Sequence, residues 1–301
     1  MHSLDPESVE AAMSWFDTHL KGNGEFPEAP GLELNASPEG TLVATLEVDE
    51  SRPLHSVRLD YARGCLHPLL KCWLTAEATR TGEGTWKAEI PLIDSAISLC
   101  LLPQAIYEEG SLLTGKMEEL VPAREFPSTK ATDTTSDTLC DGDSGPSGWI
   151  IQRGTDFTHS QSKDRLETGD VDGRRALVYR SENSPHSIRL VNRLFADAGR
   201  NKGNRKNLVF WAHDLSSVTL RTNWFLRQPA AVTHRAELEG GAGWVKHVVR
   251  LEDLAPVDEE TDGPVSDTGA ALENWNDVHL LDMAAETAPE GLPAIGWMGW
   301  E

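Results

Sequence analysis

The chain has 301 residues, 39% of them apolar and 25% charged, with 27 Lys and Arg set against 48 Asp and Glu for a formal charge of −21. That length suits about two domains, each with its own core. So acidic a surface repels phosphate backbones and anionic membranes, which argues against broad nucleic-acid binding or membrane docking.

No apolar run approaches the roughly 20 residues of a spanning helix. No basic segment followed by an apolar one marks a leader, so a cytoplasmic address is the default expectation. Residues 1–29 contain a helix. Asp5 suits the N-cap, and Pro6 suits the first helical position, where its missing N–H costs nothing. Val9, Ala12, Met13, Phe16 and Leu20 then recur at three- and four-residue steps, an apolar stripe that asks for a surface to pack against. Gly22 ends the helix before the turn-rich "NGEFPEAPG".

From 30 to 126 the period changes to two. "TLVATLEVDE" alternates Leu42, Ala44, Leu46 and Val48; "SVRLDYA" puts Val57, Leu59 and Tyr61 on one face; "TWKAEIPL" does the same with Trp86, Ala88, Ile90 and Leu92. Alternation interrupted by turn residues predicts antiparallel strands with one buried face, here a β-sandwich. "LPQAIYEEGSLLTGKMEELVP" reads as a strand followed by a short helix. Residues 127–148, rich in Ser, Thr, Asp, Gly and Pro, read as a linker. From 149 to 301, "RALVYRS", "SIRLVNRLF", "NLVFWAHDL", "SSVTLRTNWFL", "THRAELEG", "WVKHVVRLEDL" and "NDVHLLDM" alternate again. The expected fold class is mainly β: a short N-terminal helix followed by two antiparallel β-sandwich, jelly-roll-like domains.

The residues that carry chemistry compete with plainer readings. Cys65, Cys72, Cys100 and Cys140 form no CxxC pair, so reduced buried thiols are expected. In "WAHDL", His213 and Asp214 are strand neighbours, which point to opposite faces and so are not expected to pair. In "GDVDG", Asp170 and Asp172 are hard oxygen ligands at a spacing that suits calcium, although a simple turn uses the same residues. "DEETDG" at 258–263 offers further carboxylates, and no other cofactor is expected. Tryptophan numbers ten, and Trp149, Trp211, Trp224, Trp244, Trp275, Trp297 and Trp300 all fall in the second half. Exposed indoles stack against the C–H face of a pyranose ring. Trp211 and Trp224 sit on predicted strands opposite an apolar face and are the candidate sugar-binding pair. Trp244 and Trp275 read as packing residues. "RNKGNRK" at 200–206 is a basic cluster, suited to a hairpin tip or an anionic sugar.

Two resemblances follow from particular stretches. "CDGDSGP" at 140–146 is similar to the signature around the nucleophile of trypsin-like proteases, one glycine short and without their upstream histidine context, so Ser144 reads as part of the linker. "HSLDPESVEAAMSWFDTHLKG" resembles the catalytic-histidine loop and last helix of multidomain α/β-hydrolases of the dienelactone hydrolase, acetyl xylan esterase and PhoPQ-activated pathogenicity-related type. "WLTAEATRTGEGTWKAEIPL" resembles the β-domain that follows, and "GWVKHVVRLEDL", "ALENWNDVHLLDM" and "LPAIGWMGW" resemble a terminal sandwich like a carbohydrate-binding module. The resemblance implies that His2 matches the family's catalytic base. It also implies that the chain corresponds to a hydrolase C-terminal portion, because the GxSxG nucleophile elbow and the acid-bearing strand are missing.

Three functions stay open. The first is a non-catalytic accessory or binding module with polysaccharide as its partner. The second is a reduced ester hydrolase using His2, alone or completed by a hydrolase partner. The third is a structural sandwich that self-associates.

Overall fold

The computed structural model describes residues 6–22, 26–64, 71–146, 148–151, 165–180, 187–200, 207–222, 233–257, 272–275, 278, 280–287 and 291–301. The chain is mainly β with a short N-terminal helix, and it divides into two compact units, Met1–Thr134 and Thr135–Glu301. His2 and Trp224 lie outside the described residues, as does "DEETDG".

In the first unit, α1 (Pro6–Lys21) begins at the proline. It stops where Gly22 takes a left-handed φ of +68° and donates its N–H to the Thr18 carbonyl at 3.0 Å. The apolar stripe does not bury as its spacing predicts: Val9, Met13, Phe16 and Leu20 are exposed, Leu20 at 75%. The helix is tied instead through its polar side, where Arg52 donates to the hydroxyls of Ser14 and Thr18 at 2.9 and 3.2 Å.

Two antiparallel sheets make the sandwich. One has the order β1 (Gly31–Ala36), β2 (Leu42–Glu47), β6 (Thr85–Ile90), β5 (Thr79–Gly82). The other runs β4 (Leu74–Glu77), β3 (Leu54–Arg63), β7 (Leu99–Tyr107), β8 (Leu112–Thr114), with β9 (Glu118–Leu120) also on β7. Leu42, Ala44, Leu46, Val57, Leu59, Ala88, Ile90, Leu99 and Leu101 form the core, none more than 2% exposed. Those from β2, β3 and β6 are the alternate positions the sequence pattern picks out. The segment read as strand plus helix is three strands and then the four-residue α2 (Pro122–Glu125). Beyond it, Thr132 and Asp133 donate their N–H groups to the Leu92 carbonyl at 2.7 and 2.9 Å.

Among the described residues, the second unit is a ten-stranded antiparallel sheet in the order β11 (Trp149–Ile151), β14 (Ser187–Asn192), β18 (Leu281–Thr287), β15 (Asn207–Thr222), β19 (Ala294–Trp300), β13 (Arg174–Arg180), β12 (Arg165–Val171). β10 (Thr138–Cys140), which lies within the polar stretch 127–148, pairs with β19. β16 (Thr233–Arg250) pairs with β15, and β17 (Ala255–Val257) with β16. The first half of β15 pairs with β19 and the second half with β18, so one strand serves both sides of a near-closed β-sandwich.

β15 and β16 each fuse two segments that read as separate strands. The interruption in β15 is a bulge at Asp214, which adopts a φ of +53°. Across from it, a Cβ on Gly240 would stand 1.8 Å from the Leu215 carbonyl oxygen, so "GGAG" is a close backbone crossing and not a chain reversal. Inside, Leu208, Phe210, Val218, Leu220, Met283 and Met298 are fully buried. The ring of Trp300 lies 5.4 Å from Phe195 and 5.0 Å from Trp275, centroid to centroid.

Candidate functional site

Strand alternation on β15 sends Leu208, Phe210 and Ala212 inward and leaves Val209, Trp211 and His213 on the opposite face. Across the ladder to β16, Val209 faces Val248, Trp211 faces Lys246 and His213 faces Trp244. On the other side, Phe210 pairs with Met298 but Ala212 pairs with Ile295, so two β19 residues, Gly296 and Trp297, stand opposite Trp211 alone. That second bulge supplies the third indole of the face.

Glycine makes the arrangement fit. A Cβ on Gly299 would come within 2.5 Å of Trp297 Cζ2, so the Trp297 ring lies over backbone where no other residue leaves room. A Cβ on Gly296 would stand 3.1 Å from Trp244 Cζ3 and 3.3 Å from Trp211 Cβ. Trp244, Trp211 and Trp297 are all partly exposed. Two have their indole N–H groups fixed: Trp244 donates to the Val171 carbonyl at 3.1 Å and Trp297 to the Thr138 hydroxyl at 3.3 Å.

The β12–β13 hairpin closes one end of this face. Its two-residue turn is Asp172–Gly173, both with positive φ (46° and 77°), the conformation that Asp-Gly favours because it matches the twist of the strands. The turn brings Arg174 over Trp211, with the guanidinium carbon 3.9 Å from the ring centroid and 5.5 Å from that of Trp244. It also places the Asp172 carboxylate 3.1 Å from His213 Nε2.

His213, 5% exposed, has Nδ1 3.0 Å from the Leu292 carbonyl and 3.2 Å from the Asp214 carboxylate. The expectation that strand alternation separates His213 from Asp214 therefore fails. The left-handed Asp214 interrupts the alternation and turns its side chain back. Burial pushes the Asp214 carboxyl upward, but the N–H groups of Gly243 and Leu292, at 2.8 and 2.9 Å, and the neighbouring His213 outweigh it and hold the pKa below the usual value. His213 thus lies between two carboxylates and a carbonyl and ties the β12–β13 turn to β15 and to Leu292.

The other candidates fall elsewhere. Asp170 turns to Arg175 at 3.4 Å, away from Asp172's partner, and among the described residues no three His, Cys, Asp or Glu side chains gather as metal ligands. The exposed Ser144 donates its hydroxyl to Asp141 at 2.6 Å within a tight turn. That bond, with the backbone N–H groups of Ser144, Asp143 and Asp141 itself, holds the Asp141 carboxyl low despite burial. Cys72, Cys100 and Cys140 are buried and form no disulfide, and burial pushes the Cys140 thiol up to about 11, which makes it a poor nucleophile. Trp275 is fully buried, as a packing residue should be. Trp244 is part of the indole face, a role that single-strand pattern did not assign. Pairing the two halves of the "WAHDL"/"GWVKH" hairpin would have put it beside Trp211.

No family model matches the chain, and no curated protein matches it. Among solved structures, the chain is similar to a family 11 carbohydrate-binding module from Clostridium thermocellum, solved with a mixed-linked tetrasaccharide, at 6% identity and a TM-score of 0.36 over 56% of this chain and 96% of that one. It is also similar to the surface glycan-binding protein PbSGBP-B from Prevotella bryantii, at 11% identity and a TM-score of 0.30 over 90% of this chain and 75% of that one. A third similar structure is SGBP-B from a xyloglucan utilization locus in Bacteroides uniformis, at 9% identity and a TM-score of 0.28 over 92% of this chain and 72% of that one. At such TM-scores these likenesses carry no argument about function. The α/β-hydrolase resemblance finds no support in these comparisons.

Proposed function

We propose that the second unit is a carbohydrate-binding module and that Trp211, Trp244 and Trp297 form its platform. The observation that carries this reading is the set of three part-exposed indoles on one face of β16, β15 and β19, with glycines beneath them. A pyranose stacks on an indole because its axial C–H groups meet the negative π face of the ring. Indoles held by N–H bonds and bulges lose little freedom on binding, which favours affinity. Arg174 rests on the Trp211 ring and is itself exposed. A cation–π contact at an exposed position is worth only about 0.5–1 kcal/mol, so a sugar can displace it or share the ring.

The test is affinity electrophoresis of the full chain in gels containing xyloglucan, mixed-linkage β-glucan, xylan or polygalacturonate. The expected result is retardation by at least one of them, lost in Trp211→Ala while circular dichroism is unchanged. Unretarded migration in every gel would end the reading.

A further inference from the structure

Resting on that reading, we infer that the saccharide is acidic, a chain of uronate units, and that Arg174 is the residue that takes its carboxylate. Charge pairing sets Arg174 apart from its neighbours. In the second unit, Arg165 and Arg180 meet Glu167, Arg175 meets Asp143 and Asp170, Arg189 meets Asp282, Arg235 meets Glu237 and Arg250 meets Glu252. Arg174 has no carboxylate partner among the described residues, in a chain with 48 acidic side chains to 27 basic ones.

The hairpin keeps it so. Two carboxylates of the hairpin, Asp172 in the turn and Asp170 in β12, contact His213 and Arg175. Lys246, which stands opposite Trp211 across the ladder, pairs with Glu301 at 3.0 Å. What remains is a planar guanidinium, lying across two indoles and, among the described residues, free of any carboxylate. Its donors form a fork that matches a carboxylate in a bidentate geometry. A pyranose that takes the place of the guanidinium over Trp211 would carry its C5 carboxylate at the edge of the stacked ring, where the displaced fork can reach it. The neutral C6 hydroxymethyl of a hexose at that place accepts a weaker bond. The acidity of the whole protein opposes this only at long range, since charges farther apart than about 8 Å are largely screened at physiological salt.

The experiment compares each uronate polysaccharide with its own carboxyl-reduced form, so that chain shape is retained and charge removed. Polygalacturonate, alginate and glucuronoxylan are titrated into the full chain by calorimetry, with wild type, Arg174→Gln, Arg174→Lys and the control Arg175→Gln. The expected result is a preference of about tenfold or more for the acidic form of at least one polymer. That preference should fall to within about twofold in Arg174→Gln, return only in part in Arg174→Lys, and persist in Arg175→Gln. Equal affinity for acidic and reduced forms, or a preference that survives Arg174→Gln, would overturn the assignment. If a neutral or reduced polymer binds and Trp211→Ala abolishes it, the platform stands and only the acidic assignment fails. If no polymer binds, both fail together.

Discussion

In the first unit, strands β2, β3 and β6 carry aliphatic residues inward, and the strand tryptophan Trp86 packs against that core. In the second unit, β15 sends Phe210 inward and keeps Trp211 and His213 on the other face, where β16 adds Trp244 and β19 adds Trp297. Both units are antiparallel and both obey alternation. The difference lies in what occupies the outward positions: mainly charged or small side chains in one, indoles set over glycines in the other. A large aromatic on an outward position, seated over glycine, exposes apolar surface that a lysine there would not. That is why the second unit, and not the first, presents the candidate site.

Substitution can break or sharpen this contrast. The largest loss is expected from Trp275→Ala, which empties a fully buried site beside Trp300 and should cost about 3–5 kcal/mol in urea denaturation. Trp211→Ala should cost no more than about 1 kcal/mol, since its side chain is partly exposed. Equal losses would remove the distinction between core and platform tryptophans. In the first unit, Leu59→Ala at the sandwich centre should cost about 2–5 kcal/mol, while Leu20→Ala, 75% exposed on α1, should stay within about 0.5 kcal/mol.

Next in size is Gly296→Ala. Its Cβ would press on Trp244 and Trp211, for an expected loss of about 1–3 kcal/mol and a shifted tryptophan emission. An unchanged spectrum would mean that the two rings are not seated as described. A smaller effect than that is expected from Asp214→Asn, which keeps a residue tolerant of positive φ but loses charge-assisted bonds, for a cost of about 1 kcal/mol at neutral pH. Because the folded pKa of Asp214 lies below its unfolded value, its stabilisation is present above the ordinary carboxylate range and lost as pH falls through the folded value. The gap between wild type and variant should therefore close in acid. A gap that widens there would contradict the bonding pattern.

Period-two alternation was enough to place the first sandwich, because its strands are short, regular and apolar on one side. It was not enough for β15 and β16. There a left-handed Asp214 and the Gly240 crossing look, in one dimension, like the turn signals that end a strand. The same bulge brings His213 and Asp214 together, which alternation forbids. Trp211 was legible because it follows an inward Phe210. Trp244 was not, because its importance comes from a residue thirty-odd positions away across the ladder. Arg174 gave no sequence signal. Its role depends on the Asp172–Gly173 turn laying it on an indole from another strand. For α1 the spacing found the helix, but the hydrogen bonds of Arg52 decided which side docks.

The most direct measurement is selective oxidation of tryptophan by N-bromosuccinimide, mapped by peptide mass spectrometry with and without a bound polysaccharide. Trp211, Trp244 and Trp297 should react early in the free protein and be protected by ligand, while Trp275 and Trp300 stay inert in both samples. Trp211 and Trp244 reacting as slowly as Trp275, or reacting at the same rate with saturating polysaccharide present, would contradict an indole platform on the second unit.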